Sequence, residues 1–319
     1  MTTNFHSLSF AIKIQMFKKP YEILYIFAHI KKIFFVKKIL LLITLIHGIA
    51  CSKSENQNNI GATTIPNNSS NNSQTTPTTP STPSCDPCLI WSDEFDVDGA
   101  PSEENWFLET VPPNNGSWWN QEDQYYTDRR ENSIVENGFL KIIALREDYE
   151  NKKYTSARMT TQNLFDFTYG EVHVRAKLPQ GQGTWPAIWM LGVDHATLGW
   201  PECGEIDIME HGDKDPGLVS SAVHLPNANG DHYYVRGEQQ IENESSEFHV
   251  YKVKWSIGLL EFFVDDVRHH QFTTDYDMPF WKPFFLILNV AMGGTWTDNN
   301  IDPDFQSATM EIDYVRVYQ

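Results

Sequence analysis

Three acidic residues in one short segment are the residues of this chain best suited to chemistry. The segment 204–212 reads Gly-Glu-Ile-Asp-Ile-Met-Glu-His-Gly, and its alternation is typical of a β-strand. In a regular strand Glu205 and Asp207 share one face, while Glu210 points into the core. Because a buried, unpaired glutamate is costly, we predict a β-bulge at 208–209 that returns Glu210 to the face of the other two acids.

Three acids on one strand face repel one another, so stability does not explain them. A solvated acidic strand and a calcium site are the two alternatives to a catalytic site. Against calcium, the acids are spaced along an extended strand and do not wrap around a loop. Against a plain surface strand, the Ile-x-Ile at 206–208 and the tryptophan-rich neighbouring segments indicate a cleft.

A pair of carboxylates in a cleft lined by aromatic residues suggests glycoside hydrolysis. A retaining enzyme needs one carboxylate as nucleophile and a second that acts first as acid and then as base. Neighbouring negative charge raises the pKa of the acid, so that it keeps its proton near neutral pH. Asp207, between the two glutamates, can hydrogen-bond the nucleophile and modulate its charge.

The tryptophans divide into two groups by their neighbours. About half should fill the core between sheets, Trp91 and Trp255 included. Others stand beside glycine or proline, at loop or strand-end positions where an exposed indole face can stack on a sugar ring. This second group comprises Trp185, Trp200 and Trp296.

The elements that position these residues are predicted to be strands. Residues 171–178 and 251–255 alternate polar and apolar side chains, as half-buried strands do. The apolar run 284–290 fits a strand covered on both faces, and 310–317 alternates with one shift of phase. No amphipathic helix longer than two turns is found. About 230 residues of this kind predict a single all-β domain, a sandwich or jelly roll.

The part of the chain before this domain is predicted to be an export signal and a tether. Residues 1–51 are basic and end in a short apolar run, which is typical of a secretory signal. Small residues leading into Cys51 resemble a lipoprotein signal, although Gly48 stands where leucine is usual; ordinary cleavage is the alternative. Residues 52–84 are Asn-, Ser-, Thr- and Pro-rich and form a disordered linker. The chain is therefore expected at the cell surface, as an outer-membrane lipoprotein whose catalytic domain spans 85–319.

Charge and cysteine content exclude several classes of function. The formal net charge is −18, and seven lysines with one glutamate in the first fifty residues leave about −24 for the rest. No basic patch or nucleic-acid motif is present, so no nucleic-acid partner is expected. Behind an export signal, Cys85 and Cys88 are expected to form a small local disulfide, and Cys203 to be buried. No set of zinc ligands is found.

The acidic segment and its surroundings resemble glycoside hydrolase family 16, in its laminarinase-like form with the bulge residue. Glu205-Ile206-Asp207-Ile208-Met209-Glu210 matches the signature of that family. The similarity continues through Trp91-Ser92-Asp93-Glu94-Phe95, Gln124-Tyr125-Tyr126-Thr127, Ser156-Ala157-Arg158, 183–190, 284–290 and 313–318. The resemblance implies a concanavalin-like jelly-roll sandwich of two antiparallel sheets, with an open groove across the concave sheet.

The family's roles, transferred by matching position, give a predicted site. Glu205 would be the nucleophile, Asp207 would assist it, and Glu210 would be the acid/base. The predicted sugar-binding residues are Trp185, Trp189, Trp200, Arg158 and His224, with Asn120 and Trp296 in loops bordering the groove. No cofactor is expected for catalysis. Many members of the family hold a structural calcium ion, whose matching ligands here are Glu94, Gly138 and Asp313.

The resemblance implies a retaining endo-hydrolase of β-1,3-glucan, acting as a monomer, that also accepts mixed β-1,3/1,4 linkages. Cleavage of agar, porphyran or carrageenan, transglycosylation, and a non-catalytic glucan-binding lectin are the alternatives. A neutral glucan fits this acidic chain better than a sulfated one. Three segments depart from the family pattern and could border the groove, which leaves the substrate less defined than the chemistry. They are 119–123, Glu202 and 226–238.

Overall fold

The computed structural model describes residues 87–212 and 215–319. The predicted signal, the linker, Cys51 and Cys85 lie outside the described residues. Cys88 is disulfide-bonded, and its pairing with Cys85 stays a prediction. Cys203 is a free and buried cysteine, as predicted. Nowhere in the described ranges is there a helix of the length and apolarity that crossing a membrane requires.

The described chain is built almost entirely from strands. Its two helical turns, Trp119–Gln121 and His195–Leu198, are three and four residues long, which agrees with the absence of helical periodicity. The strands are β1 (Leu89–Asp93), β2 (Phe107–Leu108), β3 (Gln124–Tyr126), β4 (Ser133–Glu136), β5 (Phe139–Tyr149), β6 (Lys152–Ser156), β7 (Arg158–Thr160), β8 (Gly170–Lys177), β9 (Thr184–Gly192), β10 (Glu205–His211), β11 (Leu218–Pro226), β12 (His232–Gln240), β13 (His249–Ser256), β14 (Leu259–Val264), β15 (Val267–Thr273), β16 (Phe284–Met292) and β17 (Ser307–Tyr318).

The strands form two sheets, as the resemblance implied. The ten-stranded sheet has the order β15-β14-β13-β8-β17-β5-β6-β3, with β1 paired to β17 and β4 to β5. The seven-stranded sheet has the order β12-β11-β10-β9-β16-β7-β2. All strand pairs are antiparallel except β3 with β6, which run parallel. The predicted sandwich of two antiparallel sheets is confirmed, and β3 joins the larger sheet at its end, beside β6.

The core lies between the two sheets and follows the predicted patterns. Residues of β8 and β14 alternate between buried and half-buried, while all nine residues of β16 are buried. Strand β17 shifts register between Ile312 and Tyr314, where the sequence changes phase. Trp255 is fully buried, and Trp91 packs against the core from its edge. The seven-stranded sheet thus rests on a dense apolar layer, which fixes the strands that carry the acids.

Candidate active site

Strand β10 carries the three acids and contains the predicted bulge. Asp207 lies opposite Ala222 on β11, but Glu210 lies opposite Ser220, so three steps on β10 match two on its partner. The register with β9 shifts at the same place. Ile208 and Met209 are both 1% exposed, which means that the extra residue is absorbed into the core. Glu210 consequently returns to the partly exposed face that also bears Glu205, and the bulge prediction is confirmed.

Each acid has one aromatic or imidazole partner. The indole N–H of Trp200 donates to Oε2 of Glu205 at 3.1 Å. The indole N–H of Trp185 donates to Oε1 of Glu210 at the same distance. Nε2 of His224 lies 3.0 Å from Oδ2 of Asp207 and 3.8 Å from Oε1 of Glu205. The two glutamates are thus held by hydrogen bonds from tryptophans of a strand and a loop, and a histidine of the neighbouring strand lies at ion-pair distance from the aspartate.

Burial and mutual repulsion set the protonation of the three acids. Burial, followed by the charge of Asp207, raises the pKa of Glu205 to about 8. The same two causes, in the same order, raise the pKa of Glu210 well above its usual range. Burial also raises the pKa of Asp207. The three carboxyl groups therefore share protons at neutral pH, and Glu210 is suited to hold one as a general acid.

Ionised Glu205 has one positive charge nearby that Glu210 lacks. In opposition to burial, the charge of His224 and an indole N–H lower the pKa of both glutamates, but the charge of Arg158 lowers the pKa of Glu205 alone. Arg158 reaches the site from β7, where its guanidinium lies 4.7 Å from the ring centre of Trp189. Because the charge of Arg158 stabilises its ionised form, Glu205 is the better nucleophile of the pair.

A buried polar network stands behind Trp189. Its indole N–H donates to Oδ1 of Asn289 at 2.8 Å, and the Asn289 amide donates to the Tyr126 hydroxyl at 3.1 Å. That hydroxyl in turn reaches the carboxylate of Glu122 at 3.3 Å. Glu122 is 7% exposed, and burial raises its pKa. The segment 119–123, which departs from the family pattern, thus contributes the buried acid Glu122, and the network that starts there holds Trp189 in place.

The other side of Glu210 is bordered by a second aromatic pair. Trp296 meets Trp185 edge to face with ring centres 5.2 Å apart. The guanidinium of Arg236 lies 5.7 Å from the Trp296 ring. Gly294 has a φ of +84°, and a side chain there would collide with the Trp185 ring, so glycine is required for this packing. Asn120 is exposed, and its carbonyl accepts from the Thr295 amide next to Trp296.

The predicted sugar-binding residues therefore divide into those that contact or lie beside the acids and those that only border the groove. Trp185, Trp200 and His224 touch the acids directly, and Arg158 with Trp189 stands beside Glu205. Trp296 and Asn120 border the groove without contact to an acid in the described contacts. Sequence reasoning missed the partners supplied from other strands: Glu109 on Arg158, Glu122, Arg236, and His232 with Tyr234 on β12.

The segment 226–238, which matched no pattern, is a hairpin and not a loop. Asn227 accepts the amides of Asn229 and Asp231 on its side chain, and Gly230 takes a φ of +83°. Strand β12 then starts at His232. An Asn-Ala-Asn-Gly-Asp run is a turn signal, and it could have revealed this hairpin from the sequence.

Two groups of residues have the chemistry of metal ligands. Glu205, Asp207 and His224 bring ligand atoms within 4.8 Å of one another, but these residues already belong to the cluster of acids described above. The predicted calcium ligands lie in the ten-stranded sheet. Glu94 follows Asp93, which pairs with Val315 on β17, and Asp313 is the bulged residue of that strand.

The third predicted calcium ligand is near the other two. Gly138 precedes β5, whose Leu140 pairs with Ile312 beside Asp313. Two carboxylates and a carbonyl at neighbouring sheet positions suit a hard cation that prefers oxygen. In the structure each carboxylate is paired with an arginine, Glu94 with Arg316 and Asp313 with Arg175. A calcium ion would therefore compete with these two ion pairs.

Known proteins resemble this chain over the whole strand region. Residues 120–316 match the family model described as "Glycosyl hydrolases family 16". A beta-glucanase of Rhodothermus marinus is 43% identical over 250 residues, which cover 72% of this chain and 85% of that protein. A glucan endo-1,3-beta-glucosidase A1 of Niallia circulans is 34% identical over 262 residues, covering 72% of this chain and 38% of that protein.

Solved structures show the same likeness. LamAcat from Zobellia galactanivorans is 42% identical, with a TM-score of 0.69, and the match covers 73% of this chain and 98% of that one. The laminarinase from Rhodothermus marinus has a TM-score of 0.66 at 41% identity, over 73% and 97% of the two chains. The matched residues include the bulged strand and its acids. This chain is a glycoside hydrolase of the jelly-roll type and belongs to family 16 of the glycosyl hydrolases.

Proposed function

We propose that this protein hydrolyses internal linkages of β-1,3-glucan with retention of configuration. The observation that carries the proposal is the bulged strand β10, which presents Glu205, Asp207 and Glu210 together between Trp185 and Trp200. Named relatives support the substrate: a Zobellia galactanivorans protein similar to this chain has been solved with laminaritriose and laminaritetraose. A lectin would have no use for three buried acids at its sugar site.

The roles of the acids follow from their surroundings. Glu210 holds a proton and gives it to the glycosidic oxygen as that bond breaks. Ionised Glu205, supported by Trp200, His224 and Arg158, attacks the anomeric carbon and forms a glycosyl-enzyme ester. Glu210, now without its proton, takes one from water, which attacks the same carbon and releases Glu205.

Two inversions at the anomeric carbon leave the product with the configuration of the substrate. Proton NMR of laminarin digests in the first minutes should therefore show the β-anomer before mutarotation produces the α-anomer. Early α-product would contradict the assignment of Glu205 as nucleophile. Glu205→Gln, which keeps the size of the side chain, serves as the inactive control.

The linkage is tested by a product profile on laminarin, lichenan, agarose, porphyran and carrageenan. We expect short oligosaccharides of several lengths from laminarin, as internal cleavage produces. Cleavage of lichenan is the second expectation, because SCLam, described as a non-specific endo-beta-1,3(4)-glucanase, is 39% identical with a TM-score of 0.67. Products from agarose, porphyran or carrageenan without any from laminarin would refute the glucan assignment. Formation of longer chains from an added laminari-oligosaccharide would indicate transglycosylation instead of hydrolysis.

We further propose that the protein is a monomer tethered to the cell surface through a lipid on Cys51. The apolar run ending at Cys51 and the polar stretch 52–84 support this arrangement. Cys51→Ser should move the protein from the membrane fraction to the soluble fraction. Unchanged fractionation would refute lipidation, and sedimentation of the soluble form gives the oligomeric state.

We also propose a structural calcium ion at Glu94, Gly138 and Asp313. The strand register that places two carboxylates beside one carbonyl supports it. Addition of calcium to chelator-treated protein should raise its Tm, and Asp313→Asn should remove that rise. An identical Tm with calcium and with chelator would refute the site.

A further inference from the structure

We propose that His232 is a positioning residue, which holds His224 and Trp200 in place against the catalytic acids. The inference deepens the proposed function and rests on it, because the two residues that His232 contacts are partners of Asp207 and Glu205. His232 itself touches none of the three acids in the described contacts. It therefore acts through its neighbours.

The hairpin described above places His232 next to the site. His224 pairs with Tyr234 across β11 and β12, so His232, two residues earlier on the same face, is its diagonal neighbour. Nδ1 of His224 lies 2.8 Å from Nε2 of His232, and the two rings are nearly coplanar at 5°. The other nitrogen of His224, Nε2, lies 3.0 Å from Asp207. His224 is thus held from both ends.

This geometry selects one tautomer of His224. Nε2 of His224 lies 3.0 Å from Oδ2 of Asp207, where an N–H is favoured over a lone pair beside a carboxylate. With its proton on Nε2, neutral His224 can accept at Nδ1 a hydrogen bond from Nε2–H of His232. Without His232, Nδ1 could carry the proton instead, and a lone pair would face the carboxylate. A misplaced proton would leave ionised Asp207 facing a lone pair of His224 instead of an N–H.

His232 also supports the tryptophan on the nucleophile. The ring centres of His232 and Trp200 are 4.3 Å apart, the closest spacing among the described aromatic pairs. Trp200 is 48% exposed, so few other groups restrain its indole, whose N–H donates to Glu205. His232 therefore contacts both His224, whose Nε2 lies 3.0 Å from Asp207, and Trp200, whose N–H donates to Glu205. Tyr234 packs against the same two histidines and completes the cluster.

Three substitutions separate the two contributions of His232. His232→Phe keeps a ring against Trp200 but removes the N–H, and His232→Gln keeps an N–H donor near the Nε2 position but removes the ring. His232→Ala removes both. Tyr233→Ala is the matched control, because Tyr233 is the next residue on β12, points to the opposite face and is 50% exposed.

We expect His232→Phe to lower kcat on laminarin about tenfold, the usual effect of losing a hydrogen bond to a polar group, with KM nearly unchanged. His232→Gln should recover most of that loss, and His232→Ala should be slowest. The pH profile of kcat should change in His232→Phe and keep its wild-type form in Tyr233→Ala. Wild-type kcat in His232→Phe, or a His232→Gln protein as slow as His232→Phe, would overturn the proposal.

A spectroscopic measurement tests the tautomer without substrate or activity. In wild-type protein labelled with nitrogen-15 on histidine, the His224 signals, assigned by their loss in His224→Asn, should show the proton on Nε2. In His232→Phe they should show a mixture of the two tautomers. Neutral wild-type His224 with its proton on Nδ1 would refute the inference, even if His232→Phe fails to fold. Failure of wild-type protein to cleave laminarin would instead refute the proposed function, since the tautomer is measured independently of it.

Discussion

Two groups of carboxylates in this molecule lie in opposite electrostatic surroundings, one without and one with arginine partners. The β10 acids, Glu205, Asp207 and Glu210, lie on the seven-stranded sheet with no arginine or lysine bonded to them in the described contacts. The arginine-paired acids are Glu94, directly after β1, and Asp313 on β17 of the ten-stranded sheet, and each is bonded to an arginine. Arg316 donates two hydrogen bonds to Glu94, from Nε to Oε1 at 3.0 Å and from Nη2 to Oε2 at 2.7 Å.

The difference appears in the protonation of the two groups. A hydrogen bond from Arg316 lowers the pKa of Glu94, whereas burial raises that of Glu205 to about 8. A paired carboxylate is stable when ionised, and it contributes to the fold at neutral pH. A buried carboxylate that no arginine or lysine contacts costs stability when it is ionised, and it is retained for its reactivity. The comparison separates structural from catalytic acids by their partners and not by their number.

The largest effect should come from removing the nucleophile. Glu205→Gln should lower kcat on laminarin by more than about 10⁴-fold, because no other group can form the glycosyl-enzyme ester. Glu94→Gln, the same change in the structural group, should leave kcat within about twofold. The two variants are compared by reducing-sugar release at equal protein concentration. Comparable losses in both would mean that the distinction between the groups fails.

Loss of the general acid should be smaller and should depend on the leaving group. Glu210→Gln should lower kcat on laminarin about 10²- to 10⁴-fold. On an aryl β-laminaribioside, whose phenolate leaves without protonation, bond breaking should be far less affected. Glu210→Gln should also lose the alkaline limb of the pH profile, since the raised pKa that defines it is gone. Equal losses on both substrates would contradict the acid role.

The stability of the two groups should depend on pH with opposite sign. The pKa of Glu205 is raised, so its favourable contribution is complete below about pH 4.5 and is lost as pH rises towards 8. Glu205→Gln should therefore equal wild type near pH 4 and exceed it at pH 9 by about 1–3 kcal/mol, or roughly 3–10 °C in Tm. Thermal unfolding across pH measures this. A variant less stable than wild type at pH 9 would contradict it.

The smallest effect is expected for the ion pair on the ten-stranded sheet. The pKa of Glu94 is lowered, so its contribution is present at neutral pH and is lost as pH falls below its usual range. Because the pair is partly exposed, Glu94→Gln should cost about 0–1 kcal/mol at pH 7. The difference from wild type should shrink as pH falls below the usual range of a carboxyl group. A cost that grows on acidification would exclude the ion pair as its source.

Features with a local pattern could be predicted from the sequence. The alternation in β8 and β13, the buried run of β16 and the phase change in β17 are each visible in a few consecutive residues. The bulge was predictable too, since a regular strand would have buried Glu210. The resemblance to family 16 added the roles of the acids and the sandwich architecture, and the family and the fold are confirmed.

Contacts between distant strands could not be predicted in this way. Periodicity shows which residues of β12 share a face. It does not show that β12 pairs with β11, with His232 diagonal to His224. The burial of Glu122 depends on Tyr126 and Asn289, and the partner of Arg158 is Glu109, about fifty positions earlier. Each of these requires the strand register, which is a property of the whole sheet.

The pairing of β1 with β17 has a consequence for how the protein folds. Residues 307–318 lie in the middle of the ten-stranded sheet and bind β1, β5 and β8. That sheet cannot close before β17 has been synthesised, so its folding depends on contacts between residues far apart in the sequence. Until β17 pairs with β1, β5 and β8, the chain keeps the open form in which a polypeptide can pass through a translocation channel.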